Sequence, residues 1–334
     1  MKTQAIILGV VAISILFAAY LGLQSNQLRE QASAAEQQQA FAFSHDDLNY
    51  STIITDDNDD PPVLHSLSSQ SSPNNVTIVT ALYDIGRERA DHRSFDTYLG
   101  WLHKTLTLPF PFVVYVSHLT HLRMHISLRH NPRLFFVPTY DEIPLANFTP
   151  LVQDIQADPY WKKRIKDPND VTHTLSQYTL LQHSKFTWLL DAMRRNPFQT
   201  GHFAWLDAGL SRFMNPADFT LHTYLAPTRI VIQPAPFIEN VIPPDQLPEF
   251  ARIHDPSRAI GSTPNYFVGG VFGGPRYLMH SLCEKALVQF FVTMLARRRI
   301  DNEQLTLFLV WRRNRDMFAL AYNQSYASVR ILFG

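Results

Sequence analysis

The segment Trp205-Leu206-Asp207-Ala208-Gly209 places a carboxylate at the end of a short apolar run and follows it with two small residues. An aspartate at the carboxyl end of a buried strand stands where open α/β sheets bind ligands. Ala208 and Gly209 leave room beside it for a ligand or an ion. Mg²⁺ and Mn²⁺ take oxygen ligands from one or two carboxylates together with substrate phosphates, which makes Asp207 a candidate metal ligand. The same aspartate could instead cap the turn that follows, and this segment alone leaves both open.

A second segment, Gly269-Gly270-Val271-Phe272-Gly273-Gly274, holds four of the chain's 12 glycines. Glycine inside a strand marks a bulge, or the close approach of a ligand or another backbone. No Gly-Lys-Ser/Thr follows, so this is not a phosphate loop. A third segment, Asp301-Asn302-Glu303-Gln304, supplies carboxylates suited to act as base, nucleophile or electrostatic stabiliser of an oxocarbenium ion. Acidic residues opposing the macrodipole at a helix start are the structural alternative. Arg87, Arg89 and Arg93 could grip a diphosphate, or share a solvated face with Glu88 and Asp91. His121 and His125 lack the glutamate of a His-Glu-x-x-His site and read as a surface helix. Neither Gly-x-Ser-x-Gly nor Gly-x-Gly-x-x-Gly is present, which lowers the hydrolase and dinucleotide-dehydrogenase readings.

These segments need a scaffold, and the hydrophobic pattern describes one. Strands are predicted over 76–83, 112–116, 134–137, 202–206, 229–232 and 266–274, and a last one over 317–322. Helices are predicted over 94–106, 175–195 and 276–298, with a shorter one beginning near Asp301. Between residues 141 and 170 the chain is Pro-rich and reads as surface loops with a short helix. Strand–helix–strand alternation at this spacing predicts a mostly parallel, doubly wound α/β sheet in one domain, residues 75–334.

Ahead of that domain, residues 5–23 form a 19-residue apolar run after a short tail, residues 1–4. As a helix it would span roughly 28 Å, close to the thickness of a bilayer core. A cleaved signal peptide is the competing reading, although its apolar core is normally shorter. Residues 24–74 are rich in Gln, Ser, Asp and Ala and read as a disordered stalk. Asn49, Asn75, Asn147 and Asn323 each open an N-glycosylation acceptor pattern, which agrees with export. Lysine plus arginine equals aspartate plus glutamate at 29 each, so no global field favours nucleic acid. The single cysteine, Cys283, excludes an intrachain disulfide and reads as a buried small hydrophobe.

The order of five blocks resembles the bacterial HtrL/YibB family and its animal relatives over roughly residues 76–318. They are Val79 to Arg87, Lys185 ahead of Asn196-Pro197-Phe198, Phe203 to Gly209, Gly269 to Gly274, and Asp301 to Gln304. The layout also resembles GT-A-fold glycosyltransferases, in particular the blood-group A/B type. In those enzymes a Gly-rich acceptor strand precedes an Asp-Glu pair whose glutamate lies near the reacting sugar carbon. The resemblance implies a GT-A-like sheet, a nucleotide-sugar donor and a glycan acceptor. It implies Glu303 and Asp301 as catalytic carboxylates, and Asp207 at an Mn²⁺ or Mg²⁺ bridging the diphosphate. It further implies Asp84, Arg87 and Lys185 as substrate contacts, with Gly269, Gly270, Gly273 and Gly274 lining the acceptor side. GT-A enzymes usually carry Asp-x-Asp, whereas here Trp205 stands two positions before Asp207.

The expected protein is therefore a single-pass, type II membrane glycosyltransferase of the Golgi or another secretory-pathway membrane. A non-catalytic lumenal carbohydrate-binding or scaffolding protein of the same fold is the alternative. A secreted glycoside hydrolase, acting without a nucleotide, is a third reading.

Overall fold

Alternating side chains of the β-branched first strand divide the domain into two cores. In β1 (Val76–Leu82), Ile78 and Leu82 face one core, while Val79 and the following Tyr83 face the other. The computed structural model describes residues 76–88, 93–117, 133–163, 169–213, 228–234 and 267–321. The predicted membrane segment, residues 5–23, the predicted stalk, residues 24–74, and Asn49, Asn75, Asn323, Arg89, His121 and His125 lie outside the described residues.

Strands β2 (Phe112–Val116), β3 (Arg133–Phe136), β4 (His202–Leu206), β5 (Ile230–Pro234), β6 (Phe267–Pro275) and β7 (Phe318–Leu320) complete a seven-stranded sheet. Its order is β3-β2-β1-β4-β6-β5-β7. β1–β2, β1–β4, β2–β3 and β5–β7 pair in parallel, as the sequence predicts for most of the sheet. β6 departs from it and runs antiparallel to both β4 and β5.

Helix α1 (Phe95–Leu106) and the short helical segment Ala208–Phe213 cover one face. Helices α2 (Thr149–Ala157), α3 (Ser176–Arg195), α4 (Arg276–Val288) and α5 (Glu303–Arg313) cover the other. The caps follow the sequence. Ser94 Oγ accepts from Thr97 N at the start of α1, and α3 stops at left-handed Asn196, with φ 38°. The helix predicted over 276–298 is not uniform. Beyond Val288 it widens into a π-helical stretch, Gln289–Leu295, which places adjacent Phe290 and Phe291 in one core. Cys283 is fully buried, as expected of a small hydrophobe.

His183 locks three helices together. Its Nδ1–H donates to Thr179 O at 2.9 Å, Nε2 accepts from Thr306 Oγ1 at 3.0 Å, and the ring stacks 4.0 Å from Phe290. Burial lowers its pKa to about 4, so the folded protein holds it neutral. The unfolded chain binds that proton near pH 6.5, and stability from this group is therefore present above 6.5 and lost as pH falls towards 4. We expect about 3 kcal/mol of lost stability from this source between pH 7 and pH 4. Urea unfolding of wild type and His183→Gln at both pH values isolates it, and identical pH dependence in the two proteins would refute the assignment.

Candidate active site

β1 and β4 are parallel neighbours from which the chain order diverges, β1 towards β2 and β3, β4 towards β6. The carboxyl ends of two such strands leave a crevice that no helix crossover fills. A cavity of about 730 Å³ opens there, lined by the segment after β1, the end of β4, one face of α3 and the first residues of β6 and α5.

Lys185 is the centre of this cavity's deep end. It extends from the middle of α3 and is 2% exposed. The three protons of its ammonium are directed at Glu303 Oε1 (2.7 Å), Gly269 O (3.0 Å) and Asp207 Oδ1 (3.3 Å). It also lies 5.3 Å from the ring centroid of Trp205. Its side chain and that of Glu303 are 3% and 4% exposed, against 44% for Asp207, so the Glu303 arm is the stronger of the two ion pairs. Burial opposes the ammonium charge, but Asp207 and Glu303 overcome it and hold the Lys185 pKa above its ordinary value. Burial also raises the Glu303 carboxyl above its usual range. Lys185 opposes that shift and Asp207 adds to it.

Asp207 does not cap the turn after β4. Its backbone carbonyl receives Leu210 N at 2.9 Å, while its Oδ1 accepts from Trp205 Nε1 at 2.6 Å and from Lys185. Glu303 and Asp301 part company although only Asn302 separates them. Asn302 caps α5 by accepting from Gln304 N and Leu305 N. That turn sends Glu303 to Lys185, whereas Asp301 accepts from Asn302 N and does not line the cavity.

The glycine run also divides. A Cβ on Gly269 would sit 2.3 Å from Glu303 Oε1, and one on Gly270 would sit 3.1 Å from Asp207 Oδ2. These two positions give the carboxylates their space. Gly273 and Gly274 face the sheet instead, where a Cβ would meet Ala204 Cβ at 2.6 Å and Arg229 O at 2.9 Å. They serve strand packing and do not line the cavity.

Arg87, Arg93 and Arg212 stand around the cavity with Asp84 and Glu88. Asp84 Oδ1 accepts from Gly86 N at 3.1 Å, and Gly86 turns the chain at φ 68°. The Arg87 guanidinium then lies 4.2 Å from the Tyr178 ring and 5.4 Å from the Tyr98 ring. Trp188 stacks between Tyr83 (5.7 Å, 2°) and Trp205 (6.0 Å, 7°). Tyr178, Gln182 and Trp188 belong to none of the sequence motifs. Their spacing with Lys185 marks a single helix face, which is the signal that could have found them. Asn147 is exposed in a short turn, Ala146–Phe148.

The described residues hold no group of three or more His, Cys, Asp or Glu side chains able to close around a metal. Asp207 Oδ2, beside Gly270, is the carboxylate oxygen not taken by Lys185 or Trp205. One carboxylate oxygen fits a divalent cation whose remaining ligands are substrate phosphates, and does not fit a cage made by the protein alone.

A family model described as a bacterial protein of unknown function (HtrL_YibB) matches residues 74–333. Comparison with curated proteins gives no match. Among solved structures, apo mouse xyloside xylosyltransferase 1 is similar over 74% of this chain and 84% of that chain, with 10% identity and a TM-score of 0.34.

Removing one member of the buried pair leaves the other charged and unpaired. We expect Lys185→Met to lower unfolding free energy by about 3–5 kcal/mol, and the double variant Lys185→Met/Glu303→Leu to recover most of it. Chemical denaturation of the three proteins measures this. A double variant no more stable than Lys185→Met would show that the lysine has a structural task beyond neutralising Glu303.

Proposed function

We infer the function from two premises: the chain belongs to the HtrL/YibB family, and one cavity joins arginines to a buried carboxylate that keeps an unpartnered oxygen. The second premise carries the reading. Arginines suit a diphosphate, aromatic walls suit a base or a sugar ring, and a positioned carboxylate suits glycosyl transfer. The protein is a glycosyltransferase that moves a sugar from a nucleotide-sugar donor to a glycan or glycoconjugate acceptor. Its sheet is of the GT-A type. The run at residues 5–23 anchors it as a type II protein of the Golgi or a neighbouring secretory membrane, with the sequons on the lumenal side.

Lys185 fixes Glu303 Oε1 and leaves Oε2 without a hydrogen-bond partner. In this reading that oxygen stabilises the positive charge that develops on the sugar as the glycosidic bond to the diphosphate breaks. Arg87, Arg93 and Arg212 hold the departing diphosphate and offset its charge. An Mn²⁺ or Mg²⁺ held by Asp207 Oδ2 and the phosphate oxygens would supply further neutralisation of the leaving group. Gly269 and Gly270 leave the room that the carboxylates and a substrate need. One observation favours the non-catalytic alternative: Asp207 has no second aspartate at position 205, and one of its own oxygens is already taken.

Release of nucleoside diphosphate from a panel of nucleotide sugars, with an acceptor glycan mixture, tests the reading. We expect turnover that falls at least about 100-fold in Glu303→Gln, and that falls in Asp207→Ala and on adding EDTA. Since Glu303 must be ionised and its pKa is raised, activity should climb with pH through a limb above the ordinary glutamate range, absent in Glu303→Gln. Binding of a donor without turnover would favour the non-catalytic protein. Neither binding nor turnover would overturn both.

A further inference from the structure

The cavity's deep wall carries an excess of polar atoms that nothing satisfies. Glu303 Oε2, Gln182 Oε1, Gln304 Oε1 and the Tyr83 hydroxyl are all buried without a hydrogen-bond partner, and all four residues line the same cavity. Glu303 is 3% exposed and Tyr83 7%. A buried polar atom left unpaired is destabilising, and native proteins hold few of them without a reason. Three of these four are acceptors, so they call for a ligand rich in hydroxyl or N–H donors. The arginines, which are donors only, line the same cavity, so its two kinds of polar group would recognise chemically different parts of one molecule.

We propose that Gln182, Gln304 and Tyr83, beside Glu303, form a saccharide-reading subsite that takes a sugar through its free hydroxyl groups. The proposal rests on the donor-site reading above and assigns the residues that would choose the sugar. Amide groups turn about broad, roughly two-fold terminal torsions, so Gln182 and Gln304 can swing their oxygens towards an arriving hydroxyl at small cost, while Lys185 keeps Glu303 Oε2 where it stands. Tyr83 cannot move in this way. Its ring is held against Trp188 at 5.7 Å and 2°, and burial raises the phenol pKa, keeping it a neutral hydroxyl able to donate or accept. Gln182 lies one helical turn before Lys185, and Gln304 follows Glu303, with its Cγ 3.0 Å from where a Gly269 Cβ would stand. The polar readers therefore flank the ion pair on both of the helices that supply it.

An unsatisfied subsite makes a prediction that a packing role would not. Gln182→Leu and Gln304→Leu remove orphan acceptors, so the ligand-free protein should be as stable as wild type or more so, while sugar recognition weakens. The experiment uses the full chain in detergent micelles. Thermal unfolding is recorded without ligand, and calorimetric binding is measured for UDP, UDP-glucose, UDP-galactose, UDP-xylose, their GDP counterparts, and methyl glycosides. We expect a nucleotide sugar to bind tighter than its nucleoside diphosphate, and the double variant to lose at least ten-fold of that difference with the diphosphate unaffected. Destabilised variants, or a sugar increment that survives in the double variant, would overturn the subsite and leave the donor reading standing. If no nucleotide binds, the donor reading fails and the methyl glycosides decide. Saturation transfer from wild type that the double variant lacks would uphold a saccharide subsite, and its absence from wild type would overturn it.

Discussion

Burying one ammonium group organises this domain. An isolated charge taken from water costs far more than a folded protein has to spare, so Lys185 can sit in the core only with its protons directed at oxygen. Glu303, Asp207 and Gly269 supply those oxygens from α5, the end of β4 and β6. Three elements distant in sequence are thus tied to the middle of α3. The same requirement explains the missing Cβ at residue 269, because a side chain there would occupy the place of Glu303 Oε1. It also gives Asn302 its importance, since the cap it forms turns the first residue of α5 towards the lysine.

The reversal of β6 lets the cluster assemble. A parallel β6 would bring its last residues to the edge where β1 and β4 end. Running antiparallel, it brings Gly269 and Gly270 to that edge, and leaves Gly273 paired with Ala204 and Gly274 with Phe203 inside the sheet. One glycine run therefore answers two constraints. Its first pair makes room for carboxylates, and its second lets two strands approach closely. Composition cannot separate these tasks, because both demand the absence of a side chain.

The scaffold was legible because strands and helices repeat their patterns over many residues. Every predicted strand appears within a few residues of its place, and Asn196-Pro197 ends α3 as the pattern requires. The antiparallel β6 was not legible, since strand direction depends on the connection between residues 234 and 267 and not on the strand's own residues. Within the site, Asp207 and Glu303 could be selected by residue type and position, and the structure brings them to one lysine. Asp301 carries the same chemistry as Glu303 in the same tetrapeptide, and only the cap geometry at Asn302 separates them. Only the resemblance singles out Lys185, as a substrate contact; residue type and spacing alone make it an ordinary helix lysine. Its burial is a tertiary fact. Tyr178, Gln182 and Trp188 escaped for a different reason: helical spacing grouped them, but a core face and a cavity face look alike in sequence.

The cavity gathers charged groups of both signs. Lys185 cancels one of the two carboxylates beside it, so that cluster carries one net negative charge, while Arg87, Arg93 and Arg212 outnumber Asp84 and Glu88 about the same cavity. In a medium less polar than water, charges of both signs act strongly on a ligand with one anionic end. A diphosphate is drawn to the arginines and repelled by Glu303. The uncharged remainder of the molecule is then the part that can approach the buried carboxylate. For a nucleotide sugar that remainder includes the sugar, whose reacting carbon lies next to the diphosphate. An enzyme that must break this bond needs cationic groups on the leaving side and a carboxylate on the sugar side. The lysine contributes by holding Glu303 in place while sparing one of its oxygens, which a hydrophobic replacement for the ion pair could not do.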